Sequence, residues 1–210
     1  MKLLLIDASP KAEKSVSRLL LKDFVSFVPH GVETRSIKLN SPENSYGEFI
    51  DKLNWCESAV LAFPVYIDSV PSHILKVMCR ICDEQPLTES KKIYCLVNCG
   101  FYEGIQCRTA LEIVRNWCSR SGLSYMGGIG FGGGGGFAPF RDVPPGKGPK
   151  ESLGKALNDM SACAACKTGF EDIFISLGIP KEIYKSEGEA GWRRAADKNG
   201  LSEADLSRKI

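Results

Sequence analysis

The sequence predicts an α/β fold, a five-stranded parallel sheet in the order 2-1-3-4-5 with helices on both faces and a C-terminal extension. Three observations carry this. Short apolar runs alternate five times with apolar stripes at helical spacing, and each parallel crossover needs a helix. The units close by residue 178, which is short for the six-strand dinucleotide fold. No G-x-G-x-x-G follows the first strand, so the first loop lacks the dinucleotide fingerprint. Residues 1–178 are therefore expected to form the domain and 179–210 a tail docked on it.

The elements follow in order. Residues 2–7 are a short apolar run, and from Ser15 the positions Val16, Leu19, Leu20, Phe24 and Phe27 recur at helical spacing. His30-Gly31 breaks that helix before a second strand at 32–39, followed by a polar loop at 40–45. Phe49, Ile50, Leu53 and Trp55 predict a short helix, and 58–63 is a continuous apolar run of the kind buried inside a parallel sheet. Ser69 is placed as a cap and Pro71 in the first turn of a third helix carrying Ile74, Leu75, Met78, Ile81 and Cys82. A fourth strand at 92–98 leads to a loop at 100–104 and a helix through Leu111, Val114, Trp117 and Cys118. The fifth strand is expected at 123–131. After a glycine- and proline-rich stretch at 132–149, Leu153, Leu157, Met160, Ala164 and Ile173 suggest one last long helix.

Composition excludes several classes of function. Hydrophobic residues make up 43% of the chain and charged residues 25%, which is a globular balance. With 27 Lys and Arg against 25 Asp and Glu, a net charge of +2 gives little reason to expect a nucleic-acid or membrane surface. The N-terminal apolar run is too short for a secretory core and no stretch has the length of a membrane span, so a cytoplasmic protein is expected. Nine cysteines with no disulfide framework suit a reducing compartment.

In an open parallel sheet the ligand sits beyond the carboxyl ends of the strands, at the switch point between the first and third. The first loop brings Ser9, Lys11, Ser15, Val16 and Ser17 to a helix start, where hydroxyls and backbone N–H groups can hold a phosphate. An N-cap serine in an ordinary turn is the competing explanation. The loop after the third strand is Pro64-Val65-Tyr66-Ile67-Asp68-Ser69-Val70-Pro71, and His73 at the following helix start is assigned a capping or surface role rather than a catalytic one. Cys79-x-x-Cys82 and Cys163-x-x-Cys166 look like halves of a metal site. Right-handed crossovers put their helices on opposite sheet faces, so no metal is assigned and burial is expected instead.

Two motifs carry a resemblance. Ser9, Pro10, Ser15 and Ser17 match an S-P-x-x-x-x-S-x-S loop, and Pro64, Tyr66, Pro71, Leu75 and Lys76 match P-x-Y…P-x-x-L-K. Together with the element order, they make the chain resemble the flavodoxin-like NAD(P)H-dependent FMN reductases, quinone reductases and azoreductases. The resemblance implies FMN, with its phosphate on the first loop. It places the ring between Pro64, Val65, Tyr66 and Ile67 on one side and Cys99, Gly100, Phe101, Tyr102 and Gly104 on the other. It further implies NAD(P)H as co-substrate, a small-molecule electron acceptor such as a quinone, flavin, azo or nitro compound, and a homodimer. Hydride transfer is largely positioning, so no catalytic side chain is assigned.

Two rivals stand beside this. A flavodoxin-like electron carrier without its own NAD(P)H activity would commonly be acidic for docking, and this chain is not. A flavin-free interaction domain could keep the fold and lose the site. The stretch 127–136, with eight glycines, permits either close backbone approach or mobility, and its position slightly favours a substrate-gating loop. In the tail, 189–198 is a helix candidate with Trp192 as its buried anchor, covering part of the site mouth or a dimer interface.

Overall fold

A computed structural model describes residues 1–11, 13–39, 42–205 and 208, without the side chains of 42–45. Strands β1 (Lys2–Asp7), β2 (Glu33–Lys38), β3 (Ser58–Pro64), β4 (Lys92–Asn98), β5 (Ser124–Gly132) and β6 (Ile173–Ser176) form one sheet in the order β2-β1-β3-β4-β5-β6. Every pairing is parallel. The helices are α1 (Val16–Val25), α2 (Pro42–Trp55), α3 (Ser72–Glu84), α4 (Arg108–Arg120), α5 (Glu151–Cys166) and α6 (Lys181–Lys198).

The expected five-stranded sheet is corrected by β6. Its four residues, IFIS, pair Ile129 with Ile173 through Gly132 with Ser176 at the edge of β5. Ile173 therefore belongs to a strand and not to the last long helix, which stops at Cys166. Lys167 caps that helix in the left-handed conformation, φ 58°. The polar loop placed at 40–45 is also shorter than expected: α2 begins at Pro42, and Asn40 and Ser41 lie outside the described residues. Pro71 is the N-cap of α3, without a side-chain cap bond, so Ser69 does not cap that helix.

Two apolar layers flank the sheet. On one face, Ile74, Val77, Met78 and Ile81 of α3 pack with Phe49 and Leu53 of α2 and Leu111 and Val114 of α4. On the other, Leu20 and Phe24 of α1 meet Leu153, Leu157 and Met160 of α5. β1 and β3 lie between them with Leu4, Val60 and Phe63 fully buried, which is why their sequences read as unbroken apolar runs. The proline-rich segment before α5 ends on an inserted charge. Lys150 is fully buried, and its Nζ stands 2.5 Å from Oδ2 of Asp23, whose carboxyl is pushed up by burial. Residues 143–149 are held to the domain beside this ion pair, with the Gly178 N–H donating to the Pro149 carbonyl at 2.9 Å.

The glycine-rich run is also part of the core. Gly127–Gly132 lies within β5, and Gly128, Gly130 and Gly132 are buried. A Cβ on Gly132 would collide with the Tyr102 carbonyl oxygen, and one on Gly104 with the carbonyls of Gly130 and Ile175. These glycines let the loop after β4 lie directly on β5 and β6. Close backbone approach explains them, and the gating role suggested by the sequence is withdrawn.

Candidate functional site

The switch point lies between β1 and β3, where β2 pairs with β1 on one side and β3 on the other. Three loops converge there from the carboxyl ends of β1, β3 and β4. The first follows β1. Asp7 accepts from the Ser9 N–H at 3.1 Å through Oδ1 and from Lys38 Nζ at 2.9 Å through Oδ2, and Lys38 also donates to the Ser9 carbonyl at 2.8 Å. A carboxylate and an ammonium thus clamp the loop and neutralise each other. Lys14 takes a positive φ of 53°, turning the chain into α1.

Ser9, Ser15 and Ser17 are all buried. The Ser15 Oγ caps α1 by accepting from the Arg18 N–H at 3.1 Å, and the Ser9 Oγ accepts from Lys11 N–H at 3.3 Å, so both hydroxyl protons stay available. The Ser17 hydroxyl is spent, donating to Asn98 Oδ1 at 2.8 Å. What Ser17 and Val16 retain are their first-turn N–H groups, which have no intrahelical acceptor. Lys11 is exposed at the rim.

The second loop is a tight turn. Tyr66 and Ser69 exchange backbone hydrogen bonds at 3.1 Å in both directions, and Ile67 and Asp68 between them have φ of 50° and 55°. Two consecutive positive φ values suit a type I′ turn, which normally takes Asn or Gly. A β-branched residue there is strained, and Ile67 is 99% exposed with no packing to offset it. Val65 donates to the Asn98 carbonyl at 2.8 Å, tying this loop, which starts at Pro64, to the end of β4. Asn98 therefore connects all three loops; its place at a strand end was the available signal, and it was not singled out from sequence.

The third loop runs from Cys99 to Gly104. Cys99 and Gly104 are buried, Gly100 and Phe101 are exposed and Tyr102 is partly buried. A Cβ on Gly100 would meet nothing within 4 Å, so the backbone there faces open space. The tail holds this loop from outside. Tyr184 donates to the Gly100 carbonyl at 2.5 Å, Tyr102 donates to the Ile179 carbonyl at 2.9 Å, the two rings stand 5.7 Å apart, and Lys181 pairs with Glu103. Tyr184, and not Trp192, makes the contact: Trp192 is 76% exposed. Tyr184 could have been found from its helical spacing after Pro180.

His73 lies under the first loop, with Nε2 3.2 Å from the Ala8 carbonyl. The carbonyl makes the ring nitrogen a donor, and burial with nearby Lys38 lowers the imidazole below its ordinary value of 6.5. Cys79 and Cys82 sit on α3 and Cys163 and Cys166 on α5, helices on opposite faces. The burial expected of these cysteines is corrected: Cys79 and Cys166 are exposed, and Cys82 and Cys163 are partly so. Among the described residues no helix is long and apolar enough to cross a membrane.

No protein-family model matches the chain, and no curated protein matches it in sequence. Solved structures do. An NADH:FMN oxidoreductase in its apo form superposes with a TM-score of 0.58 at 15% identity, covering 85% of this chain and 96% of that one. The Trp repressor binding protein from Bacillus subtilis gives 0.57 at 14% identity over 76% and 98% of the two chains. The fold, a parallel sheet flanked by helices, is the one these structures share. An oxidoreductase from Corynebacterium diphtheriae adds a third likeness, 0.53 at 14% identity over 78% and 96%. At such identities the likeness establishes the shared architecture, and the chemistry has to come from the loops.

Proposed function

We propose that this chain is an FMN-dependent oxidoreductase that takes hydride from NADH or NADPH and delivers it to a small acceptor of the quinone, flavin, azo or nitro class. The single observation that carries this is the convergence of three loops at the switch point. There buried hydroxyls and free helix N–H groups face a turn bearing exposed Tyr66 and Ile67 and a loop bearing exposed Phe101. The residues fit FMN. Ser9 and Ser15 hydroxyls with the Val16 and Ser17 N–H groups form a phosphate cradle at the positive end of α1, with Lys11 at its rim. Asp7, buried at the end of β1 before the cradle, is already matched by Lys38. Open space over Gly100 admits a flat ring beside Tyr66 and Phe101.

FMN, when bound, supplies the two-electron chemistry. This chain's residues then hold and screen. The clamp of Asp7 and Lys38 fixes the first loop, Asn98 keeps the three loops in register, and Tyr184 fixes Gly100, whose neighbours Cys99, Tyr102 and Gly104 shape the far wall. Pro64, Val65 and Ile67 make the near wall. A homodimer would cover Tyr66, Ile67, Leu75 and Phe101, a group of exposed apolar side chains about these loops. Residues 1–178 make the flavin domain and 179–210 a tail that braces it, and nine free thiols suit a cytoplasmic setting.

Steady-state oxidation of NADH and NADPH by the FMN-loaded protein, with and without a quinone, tests the activity. Quinone-dependent turnover is expected. A protein that binds FMN and is reduced only by a protein donor would instead be an electron carrier, and one that never binds flavin an interaction domain.

A further inference from the structure

Helix α6 is tied to the domain only near its start. Tyr184 and Lys181 hold its first turn to the third loop. Past Tyr184 every residue of the helix is exposed except the half-buried Ala190 and Gly191 and the buried Ala196. Residues 185–198 therefore bury almost nothing, and a helix of about 12–15 residues is marginal in water without packing. Gly188 and Gly191 weaken it further, because glycine is unfavourable inside a helix. A Cβ on Gly188 would meet nothing within 4 Å. No described residue calls for glycine there, whereas the close approach of a second backbone would. The helical period puts Gly188, Trp192, Ala195, Ala196 and Asn199 on one face. Trp192 is 76% exposed on it, beside an open hollow of about 390 Å³ lined by Ala195, Ala196 and Asn199.

We propose that α6 is a self-pairing helix, through which two copies of this chain join antiparallel about a two-fold axis at Trp192. Charge selects both the partner and the direction. The six residues before Trp192 carry Glu187 and Glu189 and no cation, and the six after it carry Arg193, Arg194 and Lys198 against Asp197. Reversing one helix on the other lays acid on base, and a parallel pair would lay like on like. Glu189 and Arg193 share one flank of the Trp192 face, so Glu189 of each copy lies beside Arg193 of the other. Gly188 faces Ala196 of the second copy, where the absent side chain lets the helices close up. Helical side chains lean toward their own N-terminus, so each indole leans over the hollow at Ala195, Ala196 and Asn199 of its partner. In the single chain Glu189 has Lys185 at 4.0 Å and Arg193 has Glu203 at 3.3 Å. Exposed pairs of this kind contribute little and can be exchanged for contacts across the axis. The pairing uses none of the side chains about the three loops.

Sedimentation equilibrium of the full-length protein, with and without added FMN, tests this. Because the contact is isologous, each substitution acts twice. Arg193→Glu sets acid against acid and Glu189→Arg sets base against base, so each alone should halve the assembly mass of the wild type. Trp192→Ala should halve it as well. The combined Glu189→Arg and Arg193→Glu variant reverses both charges and should restore the wild-type mass. All three positions are exposed in the single chain, so circular dichroism should show the fold unchanged in every variant. A wild type that sediments as a monomer, or a mass that neither single charge variant alters, overturns the proposal. So does a combined variant left at half mass, which would seat α6 on another surface of the second copy. Assembly mass is read without flavin, so failure here is separable from failure of the FMN assignment.

Discussion

A single side chain at the second loop exposes a cost that the core does not repay. Ile67 sits at φ 50° and is 99% exposed, so neither packing nor burial compensates its left-handed backbone. For an L-residue that conformation costs roughly 1–2 kcal/mol, and asparagine tolerates it better. Ile67→Asn should therefore raise unfolding free energy by about 1 kcal/mol in urea titration, because the strain is relieved without loss of a contact. An unchanged or lowered stability would mean that the turn is not strained. Such strain is common where a loop serves a ligand rather than the fold. The same variant should weaken FMN, since Ile67 is part of the proposed wall.

At the scale of elements, the third loop is set by what it lies against. Gly104 packs on the backbone of Gly130 and Ile175, and Tyr184 and Lys181 of α6 hold Gly100 and Glu103 from the solvent side. The loop is thus sandwiched between the β5–β6 edge and the tail. Gly104→Ala places a Cβ into two carbonyl oxygens, so the loop has to lift from the sheet. A loss of at least about 2 kcal/mol is expected, with faster amide exchange over 100–104. Wild-type stability and exchange would show that the loop is not seated as described. β6 also shows where sequence reading falls short. Ile173 falls nine residues after Ala164, about half a turn out of phase with the stripe of α5, so helix periodicity argued against grouping it there. The competing signs were Thr168-Gly169 followed by Ile-Phe-Ile, a break and then a β-branched and aromatic run. A strand of four residues has too little pattern to outweigh a helix of sixteen.

For the whole molecule, stability should depend on pH through His73. Folding lowers its pKa from 6.5 by burial, so below that value the unfolded chain binds the proton more readily than the folded one. The contribution is full above pH 6.5 and is lost as pH falls through the lower folded value. Urea titrations of wild type and His73→Gln at about pH 7.5 and about pH 5.5 should find a larger acid loss in the wild type. Equal losses would remove the buried imidazole from the balance.

Much of this architecture was legible because β1, β3 and β4 are buried apolar runs and α1, α3, α4 and α5 carry apolar stripes. The first-loop serines were legible from their spacing at a helix start. What was not legible depended on partners distant in sequence. Ser17 gives its proton to Asn98, Lys150 is buried against Asp23, and Tyr184 rather than Trp192 reaches the loop. Periodicity carries no information about which polar side chain meets which.

Whether the first loop holds a flavin phosphate is read by titrating the protein with FMN and with riboflavin and following flavin fluorescence. Charge-assisted hydrogen bonds contribute about 1.5–3 kcal/mol each, so FMN should bind at least about tenfold more tightly than riboflavin. Ser9→Ala with Ser15→Ala should erase most of that difference. Equal affinity for the two flavins, or a preference unaltered in the double variant, would contradict the account.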